Sequence, residues 1–163
     1  MCECNFNVGP DAPIVENELG GKQSKAIGAF HLIDPGFLYG IFSNKCWKLA
    51  IPVLDYMEGD CPKDEMVARL IWDNDNGPNI ILMIAKTMEY GIGRYKLNNW
   101  RLIPEEDHIN HALIHLFMAE IGNTDDDHIA HFYTRIMMAY ATKPSKEFER
   151  GYKALPLCED QQR

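Results

Sequence analysis

Pro104 with Glu105, Glu106 and Asp107, and then Thr124 with Asp125, Asp126 and Asp127, are two helix starts set one after the other. In each, a proline or N-capping threonine leads into acidic residues, which the positive end of a helix macrodipole favours in its first turn. The first start predicts a helix running to Gly122. The second predicts one running through about Ala141 until Pro144 ends it. With a link of about two to three residues, such helices pack as an antiparallel hairpin.

Five of the chain's six histidines fall on this hairpin. His108, His111 and His115 recur at spacings of three and four, which puts them in one narrow stripe beside a core face of Ile109, Leu113, Leu116 and Phe117. His128, His131 and Arg135 repeat the pattern on the second helix, beside Ile129, Phe132, Ile136, Met137 and Tyr140. Two polar stripes can therefore face each other. Imidazoles so spaced can share a divalent ion, with Glu120 or Asp127 completing the shell, or can meet a phosphate. A lone helical histidine is more often a surface or hydrogen-bonded core residue, and His108, nearest the helix start, fits that description best.

The rest of the chain reads as further helices. Asp34-Pro35 is an N-cap followed by a first-position proline, and Leu38, Phe42, Leu49 and Val53 permit a helix over roughly 35–57 that Pro52 would kink or end. Residues 58–63 form a turn, a short helix over 64–73 carries Met66 and Leu70, and the run 73–79 is a loop. Pro78 opens an apolar segment, Ile80 to about Tyr90, whose length favours a buried helix over a strand and which Gly91 and Gly93 should stop. The expected fold class is all-α, a compact bundle of four to five helices with an irregular N-terminal arm. The expected division is an extended arm over 1–29, a helical domain over 30–143 and a charged tail over 144–163.

A composition of 46% hydrophobic and 25% charged residues suits a globular chain. The net charge of -8 gives a long-range field that repels duplex nucleic acid and anionic membrane, so neither is expected as a partner. A small anionic ligand is compatible, because a local cluster of cations can hold a phosphate inside an acidic protein. Cys2, Cys4, Cys46, Cys61 and Cys158 are odd in number and irregular in spacing, which argues for reduced thiols and a cytoplasmic setting. No run approaches the roughly 18 apolar residues of a membrane span, and the start lacks the basic and apolar regions of a signal peptide.

Residues 89–101, EYGIGRYKLNNWR, gather a carboxylate, three basic residues, two asparagines and three aromatic rings. Arg94, Lys96 and Arg101 are placed to clamp phosphates, and Tyr95 and Trp100 to offer a face to a base. A solvated connector anchored by Trp100 would have the same composition.

The order of GGKQSK (20–25), FHLIDPGFL (30–38), EYGIGRYKLNNWR (89–101), ALIHL (112–116) and DDDHIAHF (125–132) resembles the dATP/dGTP diphosphohydrolase N-terminal domain family, common in bacteriophages. The resemblance covers about half the chain. It implies a largely helical nucleotide pyrophosphohydrolase similar in chemistry to MazG-like enzymes, which cuts a purine deoxynucleoside triphosphate between the alpha and beta phosphates. Carried over by position, Glu89, His115, Asp127, His128 and His131 match the family's polar motif residues; with Glu120 from the helix stripe, the catalytic candidates are Glu89, His115 and His131 and the metal ligands Glu89, Glu120, Asp127, His128 and His131. Lys22, Lys96, Asn99 and Arg101 match the family's phosphate or sugar contacts, and with Arg94, Tyr95 and Trp100 from the loop composition they make up the substrate contacts. The implied cofactor is Mg2+, although a donor set rich in histidine suits Mn2+, Co2+ or Zn2+ as well.

The implied partners are a purine nucleotide and, as for many small bundles, further copies of the same chain. Ile114 stands where the family usually has arginine, Asn123 where an acid commonly follows the glycine, and Gly93-Arg94 where a small residue and lysine precede the tyrosine. These departures bear on turnover more than on ligand binding. They leave a phage protein that sequesters a nucleotide or nucleotide-derived signal as the alternative.

Overall fold

A computed structural model describes residues 12–42, 44–72 and 77–146. Cys2, Cys4, Cys158 and the tail beyond residue 146 lie outside the described residues, as does most of the 73–79 loop. The described chain is mostly helical: α1 (Pro35–Ile41), α2 (Trp47–Glu58), α3 (Lys63–Trp72), α4 (Gly77–Arg94), α5 (Glu105–Glu120) and α6 (His128–Ala141). Short 3₁₀ turns lie at Phe30–Leu32 and Asn99–Leu102, and a two-stranded hairpin, β1 (Ile14–Glu16) and β2 (Lys22–Ser24), precedes them.

The α5–α6 hairpin is the centre of the molecule. Ala112, Leu113 and Leu116 of α5 and Phe132 of α6 are wholly buried, and each of the larger three contributes about 2 kcal/mol of transfer free energy. Leu38, Phe42, Val53, Leu54, Met66 and Leu70 of the earlier helices complete the same core. Its N-terminal end is held by a buried charge: Glu105 accepts from both Tyr56 and Lys63. Lys63 Nζ also donates to the carbonyls of Ala139 and Thr142, each at 3.2 Å, and so closes the C-terminal end of α6.

Several local readings differ from the sequence expectation. The single helix expected over 35–57 is two helices, because the Glu120 carboxylate accepts from the Lys45 and Cys46 N–H groups at 3.1 and 2.8 Å and supplies the start of α2. Pro52 lies inside α2, and Gly59, at φ +82°, ends it in the left-handed conformation that glycine adopts without penalty. α4 continues through Gly91 and Gly93 to Arg94, with Tyr95 N–H bonded to the Gly91 carbonyl at 2.7 Å. Nor is it buried. Ile80 is its one buried residue, while Ile81, Leu82, Tyr90 and Ile92 are exposed, because its apolar side chains surround the helix and α6 covers only one side.

The link between α5 and α6 is longer than expected, since Asp127 and not Thr124 caps α6, accepting from Ala130 N–H at 3.1 Å. Within the expected arm, β1 and β2 pair antiparallel with Val15 opposite Gln23. Asn17 shapes their turn by accepting from the N–H groups of Leu19 and Gly21, and its side-chain amide donates to Leu102 O at 2.7 Å, docking the hairpin on the second 3₁₀ turn. No helix of the described residues is long and apolar enough to cross a membrane.

Candidate functional site

A chamber of about 200 Å³ opens where the β-hairpin, the C-terminal half of α4 and the segment after it meet α5 and α6. Its charge is opposite to that of the chain. Lys22, Lys25, Arg94, Lys96 and Arg135 line it, and Asp126 is the one carboxylate among its lining residues. Tyr90, Tyr95 and Trp100 add aromatic surface, and His111, His115 and His131 supply imidazoles. Clustered cations in partly enclosed surroundings favour a multiply charged anion, since charge-assisted hydrogen bonds strengthen as water is excluded.

The structure places the sequence candidates unevenly around this chamber. Lys22, Arg94, Tyr95, Lys96, Asn99 and Trp100 line it, as do His115 and His131. Several of these are also structural. Asn99 both accepts from Lys22 N–H at 3.0 Å and donates to Lys22 O at 2.6 Å, so its side chain acts as one rung of a strand and fixes β2. Arg94 donates to Ala12 O at 2.7 Å, and the Tyr95 hydroxyl lies 3.0 Å from that of Ser24. Arg101 is exposed, its guanidinium 4.3 Å above the Trp100 ring and outside the chamber lining.

The acids proposed as ligands are elsewhere. Glu89 is exposed on α4, Glu120 holds the start of α2, and Asp127 caps α6. Among the described residues no three His, Cys, Asp or Glu side chains come together so as to hold a metal ion. Magnesium, however, commonly binds through one or two carboxylates together with substrate phosphates. Asp126, whose Oδ1 lies 3.2 Å from His131 Nε2, fits that more modest requirement.

The histidines form two relays. His128 Nε2 lies 2.6 Å from Asn123 Oδ1, and Asn123 Nδ2 donates to Asp125, so the amide orientation is fixed and His128 Nε2 carries the proton. His128 Nδ1 is then an acceptor. It lies 3.1 Å from His115 Nδ1, which must donate, leaving the His115 Nε2 lone pair without a protein hydrogen bond among the described residues. His115 also stacks on His131 at 4.8 Å between ring centres. Burial and neighbouring cationic groups hold His115 well below the usual histidine range, and burial lowers His128 and His131 as well.

In the second relay, His108 Nε2 donates to Trp100 O at 3.0 Å and its Nδ1 accepts from Arg135 Nη1 at 3.1 Å. Burial, reinforced by Arg135, pushes His108 down to about 3, so it is the neutral acceptor this arrangement needs.

The family model for dATP/dGTP diphosphohydrolase, N-terminal, matches residues 63–150, just over half of the chain. The chain belongs to this family. The match spans α3 to α6, and so includes the 89–101, 112–116 and 125–132 segments, whereas the 20–25 and 30–38 segments precede it. The family's description names a diphosphohydrolase of dATP and dGTP. No curated protein and no solved structure matches the chain.

Asp126, Lys25 and Arg135 line the chamber, although the sequence singles out none of them as a catalytic, substrate or metal contact. Asp126 stands next to the α6 cap Asp127 and meets His131 at the chamber wall, a placement that the acidic run 125–127 does not announce. Lys25 lies beyond β2 and reaches the chamber only because the hairpin folds back, which a three-residue strand does not announce in period-two alternation.

Proposed function

We propose that this chamber binds a purine deoxynucleoside triphosphate and that the chain hydrolyses it to monophosphate and pyrophosphate. The observation that carries the reading is the convergence of Lys22, Lys25, Arg94, Lys96 and Arg135 on one aromatic-lined chamber in a chain of net charge -8. Family membership supplies the reaction class.

In this reading the cations hold the phosphate chain and neutralise charge that builds on it during cleavage. His115 Nε2, a lone pair held in place by His128 and Asn123, takes the proton from the attacking water. Asp126 with His131 would hold a magnesium ion, which would withdraw charge from the phosphate oxygens when bound. Glu89, Glu120, Asp127 and His128 are not needed as ligands, since each is exposed or occupied elsewhere. Trp100 and Tyr95 offer the surface on which a purine would stack.

Pure protein incubated with dATP or dGTP and Mg2+ or Mn2+ should release pyrophosphate, with no release in chelator. A second reading, sequestration without cleavage, is favoured by the single carboxylate in the chamber lining. Tight binding with intact nucleotide recovered after denaturation would select it. Pairing of two chains belongs to the same proposal: exposed Ile81, Leu82 and Ile92 give α4 an apolar surface next to the chamber, and sedimentation would report the mass.

A further inference from the structure

Arg135 stands in the chamber wall with no acid in direct contact, and Asp107 acts on it only from beyond ion-pair distance. None of the ion pairs among the described residues includes it, and its guanidinium is instead aimed by neutral partners, His108 Nδ1 at 3.1 Å and Gln23 Oε1 at 3.5 Å. Burial lowers it to about 10, which still leaves it charged at neutral pH. A partly desolvated cation with no paired acid costs folding free energy, which a ligand's negative charge would offset.

His111, beside it, poses the same problem in another form. Its Nδ1 lies 2.9 Å from Asp107 O and its Nε2 2.9 Å from Ser24 O, so both ring nitrogens face carbonyl oxygens, which only accept. A neutral imidazole has one N–H and leaves a lone pair directed at a carbonyl; an imidazolium satisfies both. Yet burial and the Arg135 charge hold His111 down to about 4. The geometry asks for a proton that burial and Arg135 oppose.

We propose that Arg135 is the anchor for a phosphate group of the ligand and that binding brings a proton onto His111, whose charge, like that of Arg135, the phosphate neutralises. The inference rests on the nucleotide reading and assigns within it the deepest phosphate contact. The groups around His111 are Asp107, His108 and His115 of α5, Arg135 of α6, His31 of the first 3₁₀ turn, Tyr95 after α4 and Lys25 after β2. Asp107 is the one carboxylate among them. Burial raises it and its Oδ2 accepts from Gln23 at 3.2 Å, so it is no counter-ion to His111.

Inorganic tripolyphosphate, dATP and dGTP are the probes, titrated calorimetrically into wild type, Arg135→Met, Arg135→Lys and His111→Asn. Arg135→Met should weaken tripolyphosphate about tenfold or more, the worth of a charge-assisted, two-pronged contact. Arg135→Lys keeps the charge without the fork, folds even if the methionine variant does not, and should fall between the two. The melting temperature of ligand-free Arg135→Met should equal or exceed that of wild type, because a half-buried charge with no paired acid has been removed.

Repeating the titrations in two buffers of different ionisation enthalpy should show proton uptake on binding in wild type that is absent in His111→Asn. Unchanged tripolyphosphate affinity in Arg135→Met and Arg135→Lys overturns the anchor. Equal proton uptake in wild type and His111→Asn overturns the role of His111. Tripolyphosphate binding that requires Arg135, with no binding of dATP or dGTP, sustains the inference while the nucleotide reading fails. Wild type that binds none of the three overturns both.

Discussion

His115 Nδ1 lies 3.1 Å from His128 Nδ1, so one nitrogen must donate and the other accept. Asn123 decides which. By accepting a hydrogen bond from His128 Nε2–H it leaves the lone pair of His115, a residue of the chamber wall, at Nε2. The tautomers are directly measurable: nitrogen chemical shifts should show Nε2–H for His128 and Nδ1–H for His115 at neutral pH, and the opposite assignment for His115 removes it as a proton acceptor. Asn123→Leu should release the tautomer and reduce pyrophosphate production about tenfold, while Asn123→Asp, which keeps an acceptor, should restore most of it.

How far the sequence reveals this site depends on the range of the contacts involved. Acidic starts, spacings of three and four and an apolar face are local signals, so α5 and α6 and the shared stripes of His111, His115 and His131 are legible before folding. Glu120 is not. Its carboxylate sits at the end of α5 among candidate ligands, and only the approach of Lys45 and Cys46, far away in the chain, makes it a cap for α2. The same holds for Asn99, which reads as a nucleotide contact until Lys22 is folded against it. His108 looks peripheral from its position in the helix, yet its burial against Trp100 and Arg135 makes it the orienting group of the deepest cation.

Buried neutral histidines make this fold acid-sensitive in a defined window. His108 and His111 titrate at about 3 and about 4 in the folded chain, against about 6.5 when unfolded. Between those values the unfolded state binds more protons than the folded one, so their stabilising contribution is complete above about pH 6.5 and is lost as pH falls toward 3 to 4. Each such histidine removes about 1.4 kcal/mol per pH unit in that window. Denaturant midpoints should therefore be flat from pH 8 to 7 and fall steeply below 6, and His108→Gln should make the fall shallower.

Lys63 is the second sensitive point. It pairs with Glu105, itself 5% exposed, and donates to the carbonyls of Ala139 in α6 and of Thr142 just after it. Lys63→Met removes all three interactions and leaves a buried carboxylate with Tyr56 as its remaining side-chain donor. The loss should be about 3 kcal/mol, the usual result of breaking one side of a buried pair. Lys63→Met combined with Glu105→Gln should recover part of it, because the stranded charge is gone; equal melting temperatures for single and double variants would refute this account.

The position of the β-hairpin is tested at Gly21. A Cβ there would stand 2.8 Å from Leu102 O and 3.0 Å from Asn17 Nδ2, and the nearer atom is backbone that cannot swing aside. Gly21→Ala must therefore push the hairpin off the Asn99–Leu102 turn, straining the Asn17 bond to Leu102 and the Asn99 rung on Lys22. Overpacking of this kind costs about 1–3 kcal/mol. Because α5 and α6 do not depend on that contact, the helical core should remain folded while Lys22 and Lys25 move out of the chamber. The expected outcome is an unchanged far-ultraviolet circular dichroism spectrum, a modest drop in melting temperature and a several-fold loss of tripolyphosphate affinity. Full affinity in Gly21→Ala would mean that the hairpin cations do not hold the ligand, and that Arg94, Lys96 and Arg135 suffice.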